Sequence, residues 1–238
     1  MNREEGMEAL SRGAWLNATP VEFREAMLSQ ARWQCFEAGA AIQVGGEGEG
    51  QMDGLARGII ELRTVLGRAD TPIMHFARPV FWIGYSPIIM RHRPHRVEAT
   101  AKTTVWLARV PHVAVRKLLD KRPQWWQYFL QPALFYGDIA LNVAADLLIR
   151  DSERRCAAVL LRLSGHRFSD TESPEEVDVT LTQDDLAGAA NLSRSSVRTM
   201  LQRLAARGLI EQNYRGIVVR ASAPLRAFVD LRDETSAP

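Results

Sequence analysis

Three textures of apolar and polar positions succeed one another along the chain. Up to residue 32 the pattern is amphipathic: Thr19-Pro20-Val21-Glu22-Phe23 reads as an N-cap with Pro at the first helical position, and Phe23, Met27 and Leu28 share one face. This predicts a short helix. From Trp33 to Arg109, short apolar stretches alternate with Gly, Pro and charge: Gln34-Cys35-Phe36, Ala40-Ala41-Ile42, Gly58 to Leu62, Val80 to Ile83, and Val97 to Val110. Short strands with turn signals between them predict an antiparallel barrel or sandwich. After Pro111 the period becomes helical. Leu130, Leu134, Gly137, Leu141, Ala144 and Leu148 recur at spacings of 4, 3, 4, 3 and 4, an a/d seam of about three heptads. Phe129, Phe135, Ile139, Val143 and Leu147 occupy a second face, so one side is expected on the chain's own barrel and the seam on a second copy as a dimer interface. The competing reading is one buried helix in a monomer. Pro132 suits the first turn of this helix or a kink, and Cys156, Val159, Leu160 and Leu163 predict a further amphipathic helix.

The last third changes character again. Residues 166 to 181 concentrate Asp, Glu, Ser, Thr and Pro and read as a solvated linker or surface loop. Thr182-Gln183-Asp184-Asp185 is then a capping-box-like helix start, with Leu186, Ala187 and Ala190 on one face. Asn191 sits at the turn, where left-handed backbone is needed. Ser193 is a good N-cap for a second helix from Arg194 to Arg207, with Val197, Met200, Leu201 and Leu204 inward and Gly208 just past its end. Arg194, Ser195, Ser196, Arg198, Thr199, Gln202 and Arg203 are read as facing outward, all able to donate to phosphates or base edges. Leu209-Ile210, a polar tip through Arg215 and Gly216, and Ile217-Val218-Val219 read as a hairpin. Helix, tight turn, helix and hairpin in this order describe a winged helix-turn-helix.

Charge sharpens that picture. Thirty Lys+Arg against 28 Asp+Glu leave +2 over 238 residues, which points to no partner. Residues 170 to 185, however, hold seven acids and no Lys or Arg, whereas residues 188 to 226 hold seven Arg and the single acid Glu211, a local balance of +6. A basic C-terminal module lies behind the near-zero total. Only Lys102, Lys117 and Lys121 are Lys, so nearly all the cations are bidentate ligands for phosphates and bases.

Composition also excludes. Cys35 and Cys156 are too few for a disulfide framework, a Cys-rich zinc site or a four-thiolate iron-sulfur cluster. The acids near Met1 and the lack of a long apolar run argue against a secretory signal or a membrane span, so a cytoplasmic protein without a membrane partner is expected. Gly45 to Gly50 reads as a turn; its two Glu and the missing Gly-Lys-Ser/Thr make it a poor phosphate loop. His75, His92, His95, His112 and Cys35 are conceivable haem ligands, but isolated histidines on strands are more often surface or core residues, so haem is disfavoured. No catalytic constellation is found. His92-x-x-His95 is the nearest to a cupin-like enzyme and lacks the remaining ligands, so no metal site is assigned. Arg91-His92-Arg93-Pro94-His95-Arg96 is read either as a solvated hairpin tip or as an anion-binding lip or protein contact.

Leu181 to Ala187, Leu192 to Val197 and Leu204 to Ile210 resemble the DNA-binding domain of the Crp/Fnr family of bacterial transcription regulators, and Phe36 to Ile42, Gly46-Glu47, Gly58 and Ile83-Gly84 fall where that family's cyclic-nucleotide-binding-type β-roll has its turns. The resemblance covers residues 12 to 228. It implies an α+β fold: a jelly-roll-like antiparallel β-roll sensor domain over 1–122, a dimerisation helix over 123–151, and a winged helix-turn-helix over 152–238. It further implies a homodimer on a two-fold-related double-stranded DNA site, with RNA polymerase as a further partner. The family's base-reading positions fall on Arg194, Ser195 and Thr199, with Arg198 and Arg203 on the same helix and Ser193, Ser196 and Arg215 placed for phosphates. Ser195 stands where the family has an acid and Thr199 where it has a base, so the usual half-site does not follow.

The effector pocket departs further. Candidate positions are Gly84, Tyr85, His95, Arg96, Ala140 and Leu141. Gly84-Tyr85 replaces the Gly-Glu pair that holds the ribose, His95-Arg96 replaces the Arg-Ser pair that holds the cyclic phosphate, and Ala140 and Leu141 replace two hydroxyl residues that touch the base. Cyclic AMP is therefore not expected to be the effector, and both another ligand and activity without ligand stay open. A cupin-like enzyme and an interaction protein without DNA binding are the competing functions; Arg194, Arg198, Arg203 and Arg215 disfavour the second.

Overall fold

The computed structural model describes residues 2–43, 50–65, 73–90, 96–165, 167, 177–179, 181–213, 216–219 and 222–230. The chain divides into two compact units, Met1–Asp138 and Ile139–Pro238.

The first unit is a roll of two antiparallel four-stranded sheets. One has the order β1-β8-β3-β6 and the other β2-β7-β4-β5, with β1 at Arg32–Phe36, β2 at Ala41–Gln43, β3 at Gln51–Arg57, β4 at Ile60–Thr64, β5 at Ile73–Ala77, β6 at Trp82–Ile83, β7 at Val97–Ala101 and β8 at Val105–Pro111. Alternation along β8 builds both of its cores. Val105 and Leu107 face the second sheet with Leu55, Ile60, Leu62 and Ala99, while Ala108 and Val110 face the helices with Met52, Trp82 and Leu119. Those helices are α1 (Arg3–Ser11), α2 (Ala14–Asn17), α3 (Val21–Ser29) and α5 (His112–Lys121); the short α4 (Ser86–Ile89) follows β6.

Phe23, Met27 and Leu28 of α3 are buried as their spacing predicts, yet Thr19 does not cap this helix. Its hydroxyl donates backwards to the Leu16 carbonyl at 2.7 Å, and Pro20 takes the cap position. Strands β3 and β5 were not among the expected stretches. β3 runs through Asp53 and Gly54, residues disfavoured in strands, because Asp53 is buried in a bidentate pair with Arg109 directly across the ladder, at 2.9 and 3.3 Å. Val80, expected in a strand, lies in the turn before β6 at φ 71°, and residues 45–49 of the expected glycine-rich turn lie outside the described residues.

The expected helix from 123 onward is divided. A 3-10 turn at Pro123–Trp125 and the short α6 (Trp126–Phe129) precede α7 (Gln131–Leu148), which is about 27 Å long and continues from the first unit into the second.

In the second unit α8 (Ser152–Ser164) is buried from Cys156 to Ser164. Around it fold α9 (Gln183–Ala190), α10 (Arg194–Ala206), the hairpin β10 (Ile210–Asn213) and β11 (Gly216–Val219), and α11 (Ser222–Asp230), which the sequence pattern did not indicate. The wing has a third strand. β9 (Val177–Val179), inside the stretch expected to be linker, pairs antiparallel with β11, Val218 opposite Asp178.

Candidate nucleic-acid interface and effector pocket

Local chemistry sets the two helices of the interface. Thr182 and Asp185 form a reciprocal capping box that fixes the first turn of α9: the Thr182 hydroxyl accepts from the Asp185 amide at 3.1 Å and the Asp185 carboxylate accepts from the Thr182 amide at 2.8 Å. Asn191 closes α9 at φ 51°, ψ 53°, the left-handed geometry the turn requires. Ser193 caps α10, its hydroxyl accepting from the Ser196 amide at 3.1 Å, and Gly208 at φ 71° follows the helix end.

Val197, Leu201 and Leu204 are buried, so α10 is pinned by one face. The opposite face forms an open groove lined by Arg194, Ser195, Arg198, Thr199 and Gln202, together with Gln183 from α9. Gln183 escaped the sequence reading, although its place beside the capping Thr182 was a signal. The Thr199 hydroxyl donates to the Ser195 carbonyl at 3.1 Å, which leaves its oxygen free to accept. Arg194 lies 3.4 Å from Asp184, both largely exposed; such a pair contributes little and is readily exchanged for a phosphate or a guanine edge. Arg198 has no ion-pair partner among the described residues.

Arg203 is exposed, as its outward reading expects, but it does not line the groove. At 100° per residue it lies about half a turn from Arg194 and off the groove, and its guanidinium pairs with Glu153 of α8 at 3.5 Å. Arg207 reaches the same carboxylate at 3.4 Å and covers the Phe228 ring of α11. These two cations tie α10 to its own domain. Arg215 lies outside the described residues.

All six seam residues, Leu130, Leu134, Gly137, Leu141, Ala144 and Leu148, are exposed; Leu130 just precedes α7. The roll side of this helix is held by a residue that the apolar pattern did not single out. The Tyr136 hydroxyl donates to the Trp82 carbonyl and accepts from its amide at 3.1 Å, bridging α7 to β6. Burial pushes this phenol well above its ordinary value of about 10. Its ring stacks on Tyr85, centroids 4.9 Å apart and 18° from parallel, and packs against Phe81 and Phe135.

Of the pocket candidates, Gly84 adopts φ +81°, and a Cβ there would meet the Gln51 carbonyl at 2.4 Å. Its own carbonyl lies 2.6 Å from Nε2 of the buried His112. Arg96 is exposed, and Ala140 and Leu141 are exposed on α7; His95, like His92, lies outside the described residues. Of the remaining haem candidates, His75 is buried against Phe81 and Cys35 is exposed on β1. Among the described residues no three His, Cys, Asp or Glu are grouped to hold a metal ion. No helix among them is long and apolar enough to cross a membrane.

Residues 154–228 match the Crp-like helix-turn-helix domain family. The fumarate and nitrate reduction regulatory protein of Salmonella typhi is 24% identical over 173 residues, 72% of this chain and 68% of that protein. Among solved structures, FixK2 from Bradyrhizobium japonicum superposes with a TM-score of 0.71 at 18% identity, over 85% of this chain and 98% of its own. A transcriptional regulator of the CRP/FNR family from Thermus thermophilus superposes with a TM-score of 0.61 at 24% identity, over 85% and 100%. Residues 154–228 are a Crp-like helix-turn-helix domain, and the chain has the fold of the Crp/Fnr transcription regulators.

Proposed function

We propose that this transcription regulator works as a homodimer on a two-fold-related DNA site, with α10 in the major groove and the α7 seam as the contact between copies. The observation that carries this is the sorting of α10: a buried apolar face, and opposite it one groove that gathers Arg194, Ser195, Arg198, Thr199, Gln202 and Gln183. Arg194 and Arg198 supply base-edge or phosphate donors, and Ser193, Ser195, Ser196 and Thr199 supply hydroxyls around them. The protein acts in the cytoplasm, where its DNA is, with RNA polymerase as its further partner, and it is not an enzyme.

Cyclic AMP does not fit the roll. Tyr85 occupies the position of a ribose-binding acid and is itself stacked on Tyr136, and Ala140 and Leu141 offer a base no hydroxyl. The roll either takes a different effector or serves without one.

Selection of bound sequences from random DNA tests the main reading. A two-fold sequence with half-sites about one helical turn apart is expected, and Arg198→Ala costs about 1–3 kcal/mol of binding to it. Failure to enrich any two-fold sequence, with or without cell extract as an effector source, overturns it. Saturable micromolar binding of cyclic AMP by calorimetry, tightening DNA binding, overturns the reading of the roll.

A further inference from the structure

Asp146 is completely buried, in the last turn of α7, and each of its oxygens is taken by a different arginine. Oδ2 accepts from Nε of Arg162 on α8 at 2.8 Å, and Oδ1 accepts from Nε of Arg167, just beyond α8, at 3.2 Å. Arg167 also donates to Asp230, the last residue of α11, at 3.0 Å. One carboxylate thus joins the dimerisation helix to two segments of the DNA-binding domain. Burying a charge carries a solvation cost that a well-packed apolar side chain would avoid, so a buried ion triad is better suited to fixing a geometry than to adding stability. The link continues: Glu153, on the same α8, holds Arg203 and Arg207 at the C-terminal end of α10. On α7, exposed Ala144 and Leu148 flank Asp146 two residues to either side, which places them on the opposite face, along the seam.

We propose that Asp146 is the positioning residue that fixes the direction of α10 relative to the seam of α7, and with it the half-site spacing the dimer accepts. This rests on the dimeric DNA-binding reading above. A rigid link lets both recognition helices engage only when the half-sites lie at one separation; a loosened link lets each helix find its half-site separately and forfeits the gain from binding both at once.

The test uses the full chain and two variants, Asp146→Asn and the less buried Arg167→Gln, with a selected half-site offered singly and as two-fold pairs whose spacer is shortened or lengthened one base pair at a time. The wild-type protein is expected to show a sharp optimum. Asp146→Asn keeps the single half-site affinity and the dimer dissociation constant, flattens the spacer profile, and loses about a hundredfold of affinity at the optimum. Arg167→Gln, which leaves Arg162 on the carboxylate, flattens it partly, and it carries the test if Asp146→Asn does not fold. A spacer profile unchanged in the folded variants overturns the proposal and leaves the DNA-binding reading intact. A wild-type protein that binds no half-site overturns both.

Discussion

Leu141 carries the sharpest consequence of the exposed seam. In the single chain 69% of it is accessible, with Leu134 at 74% and Leu148 at 80% on the same stripe. Burying a leucine fully is worth about 1.5–3 kcal/mol, so covering the exposed part of Leu141 is worth about 1–2 kcal/mol. A two-fold interface buries the residue twice, which makes the contribution about 2–4 kcal/mol per dimer. Leu141→Ala is therefore expected to raise the dimer dissociation constant about 30- to 700-fold, while the melting of the monomer stays nearly unchanged because the side chain touches little of its own fold. Sedimentation equilibrium over a dilution series reads the first quantity and circular dichroism the second. DNA binding below the new dissociation constant falls further than in Arg194→Ala, since losing the dimer removes the second half-site as well as its contacts. An unchanged dissociation constant, or a lower melting temperature without loss of dimer, would refute the assignment of this face to a second copy. Comparable DNA-binding losses in the two variants would refute the argument from bivalency.

Three further outcomes follow from the geometry. Tyr136→Phe keeps the stack on Tyr85 but strips the Trp82 backbone of its partner, so a loss of about 1–3 kcal/mol is expected, read as a melting temperature lower by several degrees; no change would show that water replaces the hydroxyl. Val80→Asn relieves a β-branched residue held at φ 71° and is expected to raise the melting temperature by a few degrees, the left-handed penalty being about 1–2 kcal/mol; a lower value would mean that the Val80 side chain packs for more than its strain costs. Burial pushes the Cys156 thiol up to about 12 from 9, whereas Cys35 is exposed, so at pH 8 a thiol reagent modifies one cysteine in the native protein and two in denaturant. Below pH 9 Cys156 is protonated whether folded or not, and from pH 9 to 12 only the unfolded chain releases the proton, so stability falls across that interval. Modification of both native thiols at equal rates contradicts the burial.

The winged helix was legible because its signals are local. Thr182 and Asp185, Asn191, Ser193 and Gly208 each act within a few residues, and each is found in the backbone state its chemistry demands. What escaped depends on distant partners. Asp53 and Gly54 are residue types that strands disfavour, and Asp53 is held in the ladder by Arg109, 56 positions away, while β9 hides among acids because only pairing with β11 makes Val177–Val179 a strand. Asp146 is one of two acids in α7, and its arginines lie 16 and 21 residues on. Arg203 also depends on a distant partner. Its helical position lies on the border between groove and flank, and the carboxylate that decides its direction comes from α8.

The third strand of the wing and the triad at Asp146 together bear on how such a protein can be recombined. The acid-rich stretch around residue 170 looks like a natural seam for exchanging a sensor for another, yet a cut there strands α8 on the wrong fragment, away from the helices that fold around it. A cut just before α8 takes the arginines and leaves their carboxylate behind. A fragment that keeps the triad whole has to begin ahead of Asp146, inside α7. The unit of inheritance for the helix-turn-helix domain then includes the second half of α7, so a transplanted domain brings the exposed Leu141, Ala144 and Leu148 with it.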